Sequence, residues 1–479
     1  MSEGKHIATA PKDRVSVSQK LVYGIGGLVN NLLGAAVGCM AIVLNLGLGM
    51  NPVTVGMLMS IPRIWDAVTD PVMGYISDNT KSRWGRRRPY IFWGAISSGI
   101  IFALMWQLRS GCTQNFYFWY FLIASLGFYV AYTVYATPWV ALGYEMTPDY
   151  HERTRLMGFS NWIGQFAWVI APWFWKIMNF KYFSSNVEGA RALAIMVGAF
   201  VCVAGILPAI FCREKQGYQK KDNGKKSVEI VGVLKHTAKF FKGFAITLRS
   251  MSFLKLCGAT LLVFNGFMAV SAFSSYVIIY YIFKGDQNAG STYMGWFGSA
   301  SSIATFCVIP FITWVSTKIG KKNAFILSTT ISIVGYAMKW FCYDPDAPWK
   351  LLIPAPLIAF GLGGLFTLMG AMIADVCDVD ELETGERREG VFGGIYWWMV
   401  KLGMALAFAI SGYLLNATGF NVELAGNQTV NTLLMLRVFD ISVPVITSLL
   451  AVIIISTFDV TEEKAYQVRL ELEKRRGCL

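Results

Sequence analysis

Charge is what this sequence has least of. Asp, Glu, Lys and Arg make up 15% of its 479 residues, against about 25% in ordinary globular chains. Hydrophobic residues reach 55%, aromatics 15%, and the mean hydropathy is +0.48. A soluble chain of this length is expected as about three domains of ~150 residues. Such domains could not hide this much apolar surface and still coat themselves in charge, so soluble, disordered and collagen-like classes are all excluded. Nine cysteines contain no CxxC pair, which points to neither a disulfide framework nor a metal site. The three histidines, His6, His151 and His236, lie outside the apolar runs, so a histidine proton relay is excluded. No phosphate-binding loop, metal-ligand spacing or nucleophile with a nearby base is present, which argues against an enzyme. The first twenty residues hold no apolar stretch with a small-residue cleavage site, so the first helix is expected to be retained. The C-terminal Gly477-Cys478-Leu479 is not a prenylation box.

What is present is a succession of long apolar runs. From Leu21 to Pro62 there is no Lys, Arg, Asp, Glu or His. A hydrocarbon core of ~30 Å needs about 20 apolar residues in a helix, and this run exceeds one span and breaks near Gly49–Pro52. Spans are predicted at 21–48, 52–78, 89–110, 116–146, 155–180 and 190–212, then at 254–284, 290–317, 323–343, 350–378, 388–416 and 432–458. The result is an all-α membrane protein of twelve transmembrane helices. Its parts are an N-tail (1–20), a six-helix bundle (21–212), a basic linker (213–250), a second six-helix bundle (251–458) and a C-tail (459–479).

Most of the 42 Lys and Arg fall in the two tails, the linker and the loops after even-numbered spans. The positive-inside rule puts these in the cytoplasm, with both termini. The formal charge of +13 is therefore topological, and Arg86-Arg87-Arg88 reads as a cytoplasmic anchor with no nucleic acid partner. The turn Lys81-Ser82-Arg83-Trp84-Gly85-Arg86-Arg87-Arg88 has a weaker echo about half a chain later, Lys318-Ile319-Gly320-Lys321-Lys322. Six spans plus six with such an echo fits two pseudo-symmetric halves around a midplane substrate site.

Ionisable groups inside spans cost about 2.5–3.5 kcal/mol each and mark function by default. Span 2 carries Arg63, Asp66 and Asp70, whose i, i+3, i+7 spacing puts them on one helical stripe. Two stacked carboxylates repel unless a cation lies between them. Pro71 leaves the Ala67 carbonyl without its helical N–H, and Thr69 adds a hydroxyl. This oxygen-rich nest suits Na⁺ or H⁺. The plainer reading is that Arg63 neutralises one Asp and locks span 2 to a neighbour, which still leaves a second carboxylate. Lys401 follows Tyr396-Trp397-Trp398 and is a candidate for a substrate or carboxylate contact. Arg437 and Asp440, at i, i+3, are predicted to form a structural ion pair. Asp375, Asp378, Asp380 and Glu381 sit at the cytoplasmic end of span 10, either solvated or paired with the basic loops that close the cytoplasmic side.

Asn30 and Asn31 lie deep in span 1, Tyr129, Tyr132 and Tyr135 recur in span 4, and Asn161, Gln165 and Trp168 share one face of span 5. Amides bond sugar hydroxyls while aromatic faces stack on the ring. Taken singly, aromatics are equally explained by interfacial belts or helix packing.

Arg63-Ile64-Trp65-Asp66-Ala67-Val68-Thr69-Asp70-Pro71-Val72-Met73-Gly74, followed by Ser82-Arg83-Trp84-Gly85, strongly resembles the glycoside–pentoside–hexuronide:cation symporters, the melibiose permease type of the major facilitator superfamily. Asp375-Val376-Cys377-Asp378 through Thr384-Gly385-Glu386-Arg387-Arg388-Glu389-Gly390 resembles that family's loop between helices 10 and 11, and Tyr23-Gly24 the head of its helix 1. Gly85-Arg86-Arg87-Arg88-Pro89 is also similar to the related sucrose transporters. The resemblance covers the whole chain and implies the major facilitator fold. It implies that Asp66 and Asp70 hold the cation, that Thr133 completes its site, and that Lys401 and Arg63 match a family lysine and arginine. Three positions depart from it: family aspartates on helices 1 and 4 are Asn31 and Ala136, and a sugar-binding arginine on helix 5 is Asn161. The family asparagine before the second carboxylate is Thr69, which leaves Na⁺ and H⁺ both open.

The expected function is cation-coupled symport of a sugar or glycoside by alternating access, with Na⁺ or H⁺ as coupling ion and no cofactor. The expected cation site is Asp66, Asp70, Thr133 and Thr69. Substrate contacts are expected from Asn31, Tyr132, Asn161, Gln165, Lys401 and Arg63, and cytoplasmic gating from Arg83, Asp375 and Arg387. The protein is expected as a monomer in the lipid of the plasma (inner) membrane. The alternative is a same-fold transporter of a lysolipid or other amphiphilic anion. A sugar-sensing receptor is disfavoured by tails of only about 20 residues.

Overall fold

The computed structural model describes residues 13–80, 82–147, 150–214, 250–385 and 389–475. They are helical, with no strand among them. In chain order the helices are α1 (Val17–Met40), α2 (Ile42–Leu46), α3 (Pro52–Asn79), α4 (Arg88–Met105), α5 (Gln114–Glu145), α6 (Tyr150–Gly164), α7 (Phe166–Ile170), α8 (Phe174–Met178), α9 (Asn186–Gly205) and α10 (Leu207–Phe211). Then come α11 (Met251–Tyr276), extended by a π-helical turn (Val277–Ile282), α12 (Gln287–Ile319), α13 (Lys321–Cys342), α14 (Pro354–Thr384), α15 (Glu389–Ala417), α16 (Val430–Ser456) and α17 (Glu462–Arg475).

Ten helices or helix runs among the described residues are long and apolar enough to cross a membrane. Two of the twelve expected spans fall outside that set, each for a physical reason. α3 has the length, at 28 residues, but carries Arg63, Asp66, Asp70 and Asp78. The span expected at 155–180 is broken at Gln165, where the Trp168 N–H turns to the Gln165 carbonyl at 3.0 Å, and again at a 3₁₀ turn around Pro172. α17 forms within the C-tail, 459–479, where no span is predicted. Its Val468 and Leu472 are buried, and its Arg475 donates to the Leu382 carbonyl at the end of α14, 2.8 Å away.

The chain divides into two compact units. The first gathers residues up to Met40, Val68–Phe174 and Phe183–Thr237. Its core is aromatic: Phe102 meets Phe128 at 5.7 Å and Trp106 meets Phe121 at 5.2 Å between ring centres. Glu152 holds the start of α1, accepting from the Val15 N–H at 3.0 Å and pairing with Lys20 at 2.7 Å. Burial opposes its ionisation, but Lys20, the Val15 N–H and Arg155 together keep its carboxyl below the usual range.

The second unit contains Ala41–Ala67, Trp175–Tyr182 and everything from Ala238, around a core that includes Phe253, Phe325, Leu365, Ile395 and Ile455. Residues from the first half of the chain are tied into it by side chains. Tyr276 donates to Asn45 at 2.8 Å, Asn51 to Asn416 at 3.1 Å, and Lys176 bonds Asn288. α3 and α15 run antiparallel along one seam, from Asn51–Asn416 past Gly56–Gly412 to Asp66–Lys401. The glycines let the backbones touch: a Cβ on Gly412 would sit 2.5 Å from the Pro52 carbonyl oxygen, and one on Gly56 2.7 Å from that of Phe408. Gly412→Val is therefore expected to part this seam. With cysteines at 51 and 416, disulfide yield should fall severalfold in the Gly412→Val background; an unchanged yield would refute the contact.

The glycine echo in the sequence has a structural counterpart. Gly85 and Gly320 both adopt positive φ, +100° and +80°, one turn ahead of α4 and at the head of α13, where a side chain would be strained. Each has a carboxylate packed against it from a later helix end, Glu214 at Gly85 and Glu462 at Gly320. Glu214 also accepts the backbone N–H groups of Arg86 and Arg87, both at 2.8 Å, supplying the anion that the start of α4 favours.

Candidate functional site

α3 carries the densest charge, and the structure distributes its carboxylates differently. Asp66 is fully buried in the second unit and receives Lys401 Nζ from α15 at 2.8 Å, with Arg63 at 3.9 Å. Two cations thus face one carboxylate. Lys401 and Arg63, both expected among the substrate contacts, are in this arrangement neighbours of Asp66.

Asp70 lies one helical turn further on, in the first unit, and its Oδ1 accepts from Thr137 Oγ1 of α5 at 3.2 Å. The adjacent Thr69 hydroxyl is 3.1 Å from that of Thr133, which is buried. Thr133 and Thr137 are i, i+4 on α5, so two neighbouring residues of α3 meet two stacked hydroxyls of α5. Carboxylate, hydroxyl and freed proline-adjacent carbonyl oxygens are the donor set of a hard cation. Thr137 has no distinguishing sequence signal; only the packing of α5 on α3 selects it.

The amides form a second cluster in the first unit. Tyr132 donates to Asn30 Oδ1 at 2.9 Å, and Asn30 Nδ2 lies 3.4 Å from Asn31 Oδ1. Asn31 packs against Gly164, where a Cβ would approach its amide nitrogen to 2.7 Å. Gln165 is half-buried at the break after α6, while Asn161 is exposed, so the expected common face of Asn161, Gln165 and Trp168 is interrupted at Gln165.

Of the gating residues, Asp375 pairs with Lys321 at 2.6 Å, and Arg83 is exposed in its turn. Arg387 lies outside the described residues. The matching position in the first unit is more elaborate: Arg87 bonds Glu145 at 3.0 Å and also Asp78 and Ser77.

The expected Arg437–Asp440 pair is not formed. Asp440 pairs instead with Lys339 of α13 at 2.6 Å, both fully buried. Ser274 donates to the other Asp440 oxygen at 2.8 Å, and the Tyr343 hydroxyl donates to the oxygen that Lys339 holds. Arg437 turns away to stack on Tyr281 and Trp340, 4.3 and 4.4 Å from their ring centres, and donates to the Tyr281 hydroxyl at 2.9 Å. A partner on another helix wins because it reaches Asp440 with better geometry and takes both ions out of lipid. A lysine inside the predicted 323–343 span is itself the sequence signal for this cluster. Lys339 also donates to Ser274 at 2.7 Å and faces the Phe297 and Tyr343 rings, so the network is closed on itself and reads as a structural clamp.

Many apolar spans, two units and buried charge on spanning helices define a multi-pass membrane transporter. Its fold is that of major facilitator transporters: a mutant of the nucleoside transporter NupG superposes with a TM-score of 0.65 at 13% identity, covering 91% of this chain and 99% of that one. Residues 22–462 match the MFS/sugar transport protein family model, and the chain belongs to that family. Its relatives include an uncharacterized symporter, YnaJ, of Bacillus subtilis, 25% identical over 96% of both chains. The glucuronide carrier protein homolog of Escherichia coli is 23% identical over 89% of both. Sodium-dependent lysophosphatidylcholine symporter 1-B of Danio rerio is 23% identical over 97% of this chain and 91% of its own.

Proposed function

We propose that this transporter couples entry of a sugar or glycoside to a cation by alternating access, in the plasma membrane, with both termini cytoplasmic. The observation that carries the reading is the contrast on α3: Asp66 is held by Lys401 and Arg63, while Asp70 is set among hydroxyls. An ammonium at Asp66 stands where a coupling cation would neutralise the same charge. Cation entry at Asp66 and Asp70, with Thr69 and Thr133, displaces Lys401 and frees it for substrate. By linkage, substrate then raises cation affinity by the factor that cation raises substrate affinity. Asn31, Tyr132, Asn161 and Gln165 offer the amides and phenol for sugar hydroxyls. Arg83, Asp375 and Arg387 serve the cytoplasmic closure.

A second reading, transport of an amphiphilic anion such as a lysolipid, is favoured by one observation. A cavity of about 270 Å³ in the second unit is lined by Phe366, Gly370, Ile373, Ala374, Trp397 and their neighbours, and its lining is mostly apolar. The relative from Danio rerio is named for such a substrate. Uptake by vesicles offered labelled glycosides and lysophospholipids, with Na⁺ and H⁺ gradients imposed separately, decides between them. Saturable, gradient-stimulated glycoside uptake is expected; lysophospholipid uptake with no glycoside response would transfer the assignment to the second reading.

A further inference from the structure

We propose that the cavity between α14 and α15 is a subsite for an aromatic aglycone, which makes the substrate an aryl glycoside. The inference rests on the glycoside reading and narrows its substrate class. Two stripes of residues build the cavity. Phe366, Gly370 and Ala374 follow one another at i, i+4 and i+8 on α14, and Gly393 and Trp397 at i, i+4 on α15, so each set shares one helical face. The next residue of the α15 stripe is Lys401, which meets Asp66. α3 lies along this side of α15 from Gly412 to Lys401, and the cavity opens one turn beyond that ion pair. The glycines supply its space. A Cβ on Gly370 or Gly393 would meet no neighbour within 4 Å among the described residues.

Size and chemistry decide which part of a substrate fits. The cavity, at about 270 Å³, is smaller than the roughly 300–1,000 Å³ of a whole ligand site, so it takes a portion of a substrate. It is larger than the roughly 150 Å³ that holds benzene in an engineered apolar cavity. Sugar hydroxyls would lose water there with few polar groups to replace it. Phe366 and Trp397 instead present near-parallel rings, 14° apart with centres at 6.3 Å, and aromatic faces of this kind favour a further ring. With the aglycone in the cavity, the polar part of the substrate falls toward Lys401, the residue that cation entry frees in the proposed cycle.

The test measures vesicle uptake of methyl and phenyl glycosides of β-glucose, β-galactose, β-xylose and β-glucuronic acid. For the sugar that is taken up, the phenyl glycoside should half-saturate the wild type at a concentration at least about tenfold below the methyl glycoside. Gly370→Leu and Gly393→Leu fill the cavity and should bring that ratio to within about twofold of one, with Gly370→Ala and Gly393→Ala in between. Gly127→Leu is the control: its Cβ also meets no neighbour within 4 Å among the described residues, on a stripe with the exposed Ile123 and Val130 of α5, and it should keep the wild-type ratio. Equal handling of methyl and phenyl glycosides by the wild type, or a ratio retained in both Leu variants, would overturn the proposal and leave the glycoside reading standing. A gain for octyl but not phenyl glycosides would overturn the aromatic assignment. No uptake of any glycoside by the wild type would overturn both readings.

Discussion

Asp70→Asn is expected to abolish uphill accumulation of substrate while leaving the protein folded and able to exchange substrate down its gradient. The scale of the loss follows from the coupling. One cation moving through 100 mV supplies about 2.3 kcal/mol, enough for about fiftyfold accumulation, so the variant should fall from that ratio to about one. Asp66→Asn should lose accumulation too, but with a second effect. It leaves Lys401 and Arg63 beside a neutral amide where both had faced a buried carboxylate, and breaking a buried pair costs about 3–5 kcal/mol. Asp70 accepts from a hydroxyl of α5, a bond that an amide oxygen can keep, so Asp70→Asn should lose less stability. Counterflow, gradient-driven uptake and thermal midpoints of the two variants test this together. Undiminished uphill uptake in both would sink the carboxylate assignment, and equal thermal midpoints would sink the distinction drawn between them.

An equally large effect on stability is expected away from α3. Asp440→Asn or Lys339→Met each leaves one ion of a fully buried pair uncompensated, at about 3–5 kcal/mol. The pair joins α13 to α16 and, through Ser274, to α11, so its loss loosens three helices of the second unit at once. Replacing both by Leu should recover much of the loss, because an apolar pair carries no desolvation cost. Thermal unfolding in detergent of Asp440→Leu, Lys339→Leu and the variant with both gives the coupling directly. Additive losses would show that the two ions do not act as a pair.

The apolar runs, their flanking basic loops and the glycine echo were legible in the sequence because each is a local property. A hydrocarbon layer demands about 20 apolar residues whatever they pack against, and positive φ restricts the residue itself, as at Gly85 and Gly320. Charge inside the expected spans was legible for the same reason. What α3 would do with its carboxylates was not. The i, i+4 spacing of Asp66 and Asp70 stacks them on one stripe, yet it says nothing of which helix approaches each turn. The same limit appears at Arg437 and Asp440, where i, i+3 spacing predicts a pair and Lys339 of another helix takes the carboxylate. It appears again at Gln165, where a continuous polar face was expected and the helix breaks.

By itself, then, the sequence determined that this protein is an all-helical, multi-pass membrane protein with a small set of ionisable groups in its spans. Those conclusions depend on solvation, which acts residue by residue along the chain. Only the tertiary structure decided that Lys401 sits on Asp66, that Thr137 bonds Asp70, and that Asp440 belongs to Lys339. Such pairings depend on Coulomb and hydrogen-bond terms that decay within a few ångströms, so they exist only once helices far apart in sequence have been packed side by side.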